Sequence, residues 1–145
     1  MGKYKSLEEI LGQDAAELTA LQQGEFVTAK LGPVPFTALS NADYKQAKKD
    51  CFKMVKNGTG GLDPEVDSDL LMLRVIQAAV AKDARSTFTF LDKQLLTKLK
   101  VITGDQVVEA LLMPGEIVNF AVDVQALSGF GPVAAAESEK AVKNS

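Results

Sequence analysis

The stretch from Leu70 to Ala81 constrains the fold more than any other, because it is apolar nearly all round. Only Arg74 and Gln77 are strongly polar there. A helix of that character has no face to offer water and belongs at the centre of a bundle. Asp67 or Ser68 can cap its start. The rest of the chain must therefore supply amphipathic partners that enclose it. At 145 residues the chain is long enough to do so as a single domain.

Those partners are legible as capped helices. Ser6-Leu7-Glu8-Glu9 has the form of a capping box, and Gly12 ends the short helix that it opens. Asp14 and Glu17 repeat the arrangement, with Leu18 and Leu21 along one edge. Ser40 caps a longer helix in which Tyr44, Ala47, Cys51 and Val55 recur every three or four residues, and Asn57-Gly58 stops it. Lys45, Lys49, Lys53 and Lys56 form a stripe on that helix. Leu91, Leu95 and Leu99 mark another helix, and Thr103-Gly104-Asp105-Gln106 opens the next with a capping box. Pro114 stands at the first position of the last helix, whose inner stripe is Ile117, Phe120, Ala121 and Val124. Gly129 is placed as a left-handed stop, with Phe130 folding back onto Val124.

One segment has a different period. From Glu25 to Leu39 apolar residues alternate, and Gly32-Pro33 interrupts them, which predicts one β-hairpin of open register. Ser86 to Phe90 also alternates, as a short strand or an extended connector. Thr59 to Asp67 reads as a loop. After Phe130 the chain is rich in Ala, Gly, Ser and Lys without an aromatic residue, which predicts a disordered tail. The expected fold is mainly α, a small helical domain with one N-terminal β-hairpin and a disordered C-terminal tail. The expected parts are short helices over 1–24, hairpin plus helices over 25–130, and a flexible tail over 131–145.

Composition removes several chemistries. The chain has no histidine and a single cysteine, Cys51. Ser-His-Asp and Cys-His catalysis, a His-containing zinc site and an internal disulfide are all excluded. Cys51 reads as a small buried apolar side chain. Net charge is −3 and only Arg74 and Arg85 carry guanidinium groups, which argues against nucleic-acid recognition. No apolar run is long enough to span a membrane. The acids from Asp63 to Asp69 lack the glycine and glutamate positions of a calcium loop. Gly58-Thr59-Gly60-Gly61 follows a helix and lacks the ending of a phosphate loop. Glu116 lies in a first helical turn, where the helix dipole already accommodates an acid. No catalytic, cofactor or metal residues are assigned.

Three blocks taken together are similar to the XkdN-like phage tail assembly chaperones. The first runs from Val34 to Tyr44, with Pro35-Phe36 and then Leu39-Ser40 opening the lysine-bearing helix, followed by Cys51. The second is Asp67-Ser68-Asp69. The third is Leu112-Met113-Pro114-Gly115-Glu116-Ile117 followed by Leu127-Ser128-Gly129-Phe130. The resemblance departs at Leu99-Lys100-Val101 and at Lys82-Asp83-Ala84, where family-typical loop residues are missing. It implies a non-enzymatic protein of phage or prophage origin. In the host cytoplasm such a protein binds the tape measure protein and keeps it soluble while the tail tube polymerises, and it is absent from the mature particle. Further partners that fit the resemblance are the tail tube protein, a frameshifted longer form of the chain and additional copies of itself. The expected partner-binding residues are Lys45, Lys49, Lys53, Lys56, Glu116, Ile117, Phe120, Leu127 and Phe130. The rival reading is a minor tail or connector protein that stays in the particle.

Overall fold

The computed structural model describes residues 4–130, so the tail expected over 131–145 lies outside the described residues. Two five-residue helices come first, α1 (Leu7–Leu11) and α2 (Ala15–Thr19), capped by the Ser6 and Asp14 side chains. A hairpin follows, β1 (Gln23–Thr28) and β2 (Gly32–Thr37), antiparallel with Gln23 opposite Thr37 and Thr28 opposite Gly32. Gly32 takes φ +67°, the left-handed turn residue that the three-residue loop needs. Helix α3 (Asn41–Lys49) leads to a second antiparallel hairpin, β3 (Phe52–Lys56) and β4 (Leu62–Val66). Four helices complete the chain: α4 (Ser68–Ala79), α5 (Lys93–Leu99), α6 (Gly104–Leu111) and α7 (Pro114–Leu127).

The expectation of a single hairpin is therefore corrected to two. The helix that begins after Ser40 ends at Lys49 and does not run on to Asn57. Beyond Asp50 the residues Phe52, Met54 and Lys56 alternate with Lys53 and Val55, and this period of two prevails. Asn57 builds the turn: its Oδ1 accepts from the N–H groups of Thr59 at 3.0 Å and Gly61 at 2.9 Å, and its own N–H donates to Gly61 O at 2.9 Å. Pro64 is tolerated in β4 because a two-stranded ribbon has only edge strands. The base of the ribbon closes where the Asp67 N–H donates to Cys51 O at 2.7 Å.

The near all-apolar helix is central, as its composition demands. Helix α4 packs on α3, α6 and α7, and α7 also packs on β1 and β2. Asp67 is its cap and accepts from the Leu70 N–H. Val75, Ile76, Val107, Val108, Phe120 and Val124 are wholly buried in one core. The hairpin lies across α7 through aromatic contacts: Phe120 stacks on Phe26 at 4.5 Å and meets Phe36 at 5.2 Å. This sets the phase of β1, with Phe26 inward and Val27 outward. Ser86 to Phe90 is an extended connector, and Phe90 is buried with Phe88 against its edge at 4.9 Å.

Both arginines act inside the molecule. The Arg85 guanidinium pairs with Asp83 at 2.8 Å and donates to Gly24 O at 3.0 Å and Phe36 O at 3.1 Å, tying the connector to the hairpin. At the far end of the hairpin the Ala29 N–H donates to Glu116 Oε2 at 2.9 Å.

Candidate partner-binding groove

An open groove of about 490 Å³ lies between α3, α4 and the start of α6, beside α5. Its walls carry Leu91, Leu96 and Ile102, and its floor carries Asp43, Asp50, Arg74 and Asp105. Ile102 is 86% exposed and Leu91 is 59% exposed, and both line the one groove. They stand out because each lies just outside a helix. Leu91 precedes the Asp92 cap of α5, and Ile102 precedes the Thr103 capping box of α6.

The polar floor is locked. Arg74 holds Asp105 in a two-pronged pair, Nε to Oδ1 at 2.9 Å and Nη2 to Oδ2 at 3.2 Å, with Asp50 at 3.6 Å. Gln77 Nε2 also donates to Asp105 Oδ1 and to Leu73 O. The hydrogen bond to Asp105 raises the Arg74 pKa above its ordinary value despite partial desolvation, so the guanidinium stays charged. Gly104 completes the wall: a Cβ there would collide with the ends of the Gln77 and Leu91 side chains. With three carboxylates against one guanidinium, the floor is net negative. The groove thus suits an amphipathic segment that brings apolar and basic side chains together.

The nine residues expected to bind a partner do not form one surface. Lys45 and Lys49 are exposed on α3, while Lys53 and Lys56 are exposed on β3 at odd spacing, hence on opposite faces of the ribbon. The lysine stripe does not exist, because the helix that would have carried it stops at Lys49. Glu116 is half-buried and serves the fold: Oε1 accepts from the Met113 N–H at 2.8 Å while Oε2 holds Ala29. Those backbone donors, first Met113 and then Ala29, hold its carboxyl below the usual range. Ile117 and Leu127 are half-buried and pack against the core, and Phe120 is wholly inside it. Phe130 turns onto Tyr44, ring centroids 5.1 Å apart, rather than onto Val124. Its backbone N–H instead donates to Gln125 O at 3.0 Å, beyond Gly129 at φ +101°.

Residue type in α4 points to the groove. A charged and an amide side chain on an otherwise apolar helix require buried partners, and Asp105 in the first turn of α6 is that partner for both Arg74 and Gln77.

Cys51 is buried at 1% exposure, and burial is the main cause that pushes its thiol pKa up. Among the described residues no group of three or more acids or cysteines is placed to hold a metal ion. No described helix is long and apolar enough to cross a membrane.

The sequence model of the phage XkdN-like tail assembly chaperone proteins matches residues 7–143. Among solved structures, the crystal structure of the protein yqbn, a structural genomics target, superposes with a TM-score of 0.54 at 22% identity. The match covers 88% of this chain and 98% of that one, and at this identity it shows a shared fold. No curated protein matches the chain.

Proposed function

Because the chain belongs to the phage XkdN-like tail assembly chaperone family, we propose that it binds the tape measure protein and keeps it soluble during tail assembly. The observation that carries this reading is the family match over nearly the whole chain. Membership in a chaperone family also points to a non-enzymatic role. The tape measure protein is long, helical and apolar along one face. Such a protein needs that face covered until the tail tube surrounds it. The groove beside α3 and α4 supports the reading, since it presents Leu91, Leu96 and Ile102 over an acidic floor. An amphipathic helix would lay its apolar residues on those walls and a basic residue over Asp43, Asp50 and Asp105. Binding of this kind involves no covalent step and is released by competition, which suits an assembly factor in the host cytoplasm that leaves before the particle is complete.

The test is binding of the tape measure protein to the wild-type chain and to Leu91→Asp and Ile102→Asp. Both sites are exposed, so the fold and thermal midpoint should be kept. Each substitution is expected to weaken binding about tenfold or more, equal to about 1.4 kcal/mol. Unchanged binding in both variants would remove the groove from the reading. Abundant chain in purified mature tails would replace the chaperone with a structural tail component.

A further inference from the structure

The groove lies within reach of a segment of this same chain whose charges match those on the way to it. Phe130 packs its ring on Tyr44 of α3, so the chain passes beyond the described residues beside that helix. The charged residues that follow come in one order: Glu137 and Glu139, then Lys140 and Lys143. Their sum is zero, and only their order can select a site.

Helix α3 presents the complementary order. At about 100° per residue, a path from Tyr44 over the exposed side of the helix meets Lys48, Lys45 and Lys49 in turn. It then meets Gln46, Asp50 and Asp43, which line the groove. Ala47 and Cys51 are buried and close the circle on the core side. Neither the three lysines nor Asp43 takes part in an ion pair among the described residues.

The segment is also long enough. The path covers about two-thirds of the turn of a helix about 10–12 Å across, a length of about 25 Å. Lys140 stands ten residues beyond Phe130, and ten residues extend to about 33 Å. Lys140-Ala141-Val142-Lys143 then brings two basic and two apolar side chains together, the combination that suits the apolar walls and acidic floor of the groove. This block lies inside the region matched by the family's sequence model, residues 7–143.

We propose that residues 140–143 occupy the groove of their own chain. Glu137 and Glu139 cross the lysines of α3, and Lys140 and Lys143 lie over Asp50 and Asp43. The docked segment is a built-in competitor, which a partner must displace before it can bind. That consequence rests on the groove being the partner's site, whereas the docking itself does not.

Paramagnetic broadening of NMR signals in the full chain tests the docking. Ser145→Cys carries a nitroxide, and Cys51, at 1% exposure, stays unlabelled. Backbone signals of Asp43, Gln46, Ile102 and Thr103 are expected to broaden, while those of Ala29 and Lys30 in the first hairpin's turn stay sharp. Lys140→Glu/Lys143→Glu should remove the broadening, and Asp43→Lys added to that pair should restore part of it. The tail pair leaves residues 4–130 unaltered, so a lost signal reports docking rather than folding. No broadening at the groove, equal broadening everywhere, or broadening that survives Lys140→Glu/Lys143→Glu overturns the proposal. So does equally strong groove broadening of an isotope-labelled chain by a separate spin-labelled copy. Tape measure binding should tighten about twofold or more in Lys140→Glu/Lys143→Glu, as removal of an occupant present at least half the time gives. Groove broadening without that tightening would uphold the docking and count against the groove as the partner's site.

Discussion

Phe120 is the residue at which a core role and a partner-binding role separate most clearly. It is wholly buried, stacked on Phe26 at 4.5 Å and tilted against Phe36 at 5.2 Å. Phe120→Ala removes a phenyl ring that has nowhere to be replaced by water, and such core truncations cost about 3–5 kcal/mol. Each aromatic pair contributes about 0.5–1.5 kcal/mol of that loss. Total stability of a domain this size is about 5–15 kcal/mol, so the variant should lose about a fifth of it or more. With a urea slope of about 1–3 kcal/mol per molar, the midpoint should fall by about 2 M. Phe130→Ala is the comparison. Its ring is half-buried and touches Tyr44 at 5.1 Å, so it should cost about 1 kcal/mol. Urea titrations followed by far-UV circular dichroism measure both. A Phe120→Ala loss below about 1 kcal/mol, or smaller than that of Phe130→Ala, would refute the placement of the hairpin on α7. A reduced slope with a retained midpoint would instead mean that the hairpin detaches before the helices unfold.

Three further outcomes are expected. Glu116 and Asp83 both have folded-state pKa values held below their ordinary ones, by backbone donors for the first and by Arg85 for the second. Their stabilisation is present above the ordinary carboxylate range and is lost as pH falls through it toward the folded values. Thermal midpoints should therefore decline on acidification below about pH 4, and less steeply in Glu116→Gln; equal slopes would count against the bonds that Glu116 accepts from the Met113 and Ala29 N–H groups. Cys51, buried and with its thiol pKa raised, should react with a thiol reagent only as fast as the protein unfolds, and rapid labelling of the native chain would contradict its burial. Gly104→Ala should cost about 1–3 kcal/mol in a chemical melt, because its Cβ meets Gln77 and Leu91; a neutral result would mean that these two side chains move aside freely.

Local chemistry was the legible part of this fold. The caps at Ser6, Ser40 and Thr103, the start at Pro114 and the left-handed stop at Gly129 are all where residue type alone puts them. So is the central position of α4, because an all-round apolar helix has no other place to go. The second hairpin was illegible for a specific reason. Ala47, Cys51 and Val55 recur at helical spacing, while Phe52 to Lys56 also alternates, and a segment this short satisfies both periods. Cys51 is buried either way, and Pro64 sits in β4, where a two-stranded ribbon leaves each strand a free edge. The fate of the lysines followed from that one ambiguity. The groove was hidden for another reason. Leu91 and Ile102 sit outside helices and line one groove only because α5 packs on α6 and α6 packs on α4. The partners of Arg74 and Gln77 were equally remote, 31 and 28 residues away.

Co-expression tests the central claim most directly: the tape measure protein is produced with and without this chain, and the soluble fraction of each is measured. The expected result is a tape measure protein that aggregates alone, becomes soluble with the chain and elutes with it. Equal solubility in the two cases, with the chain eluting separately, would contradict the assignment of the tape measure protein as its partner.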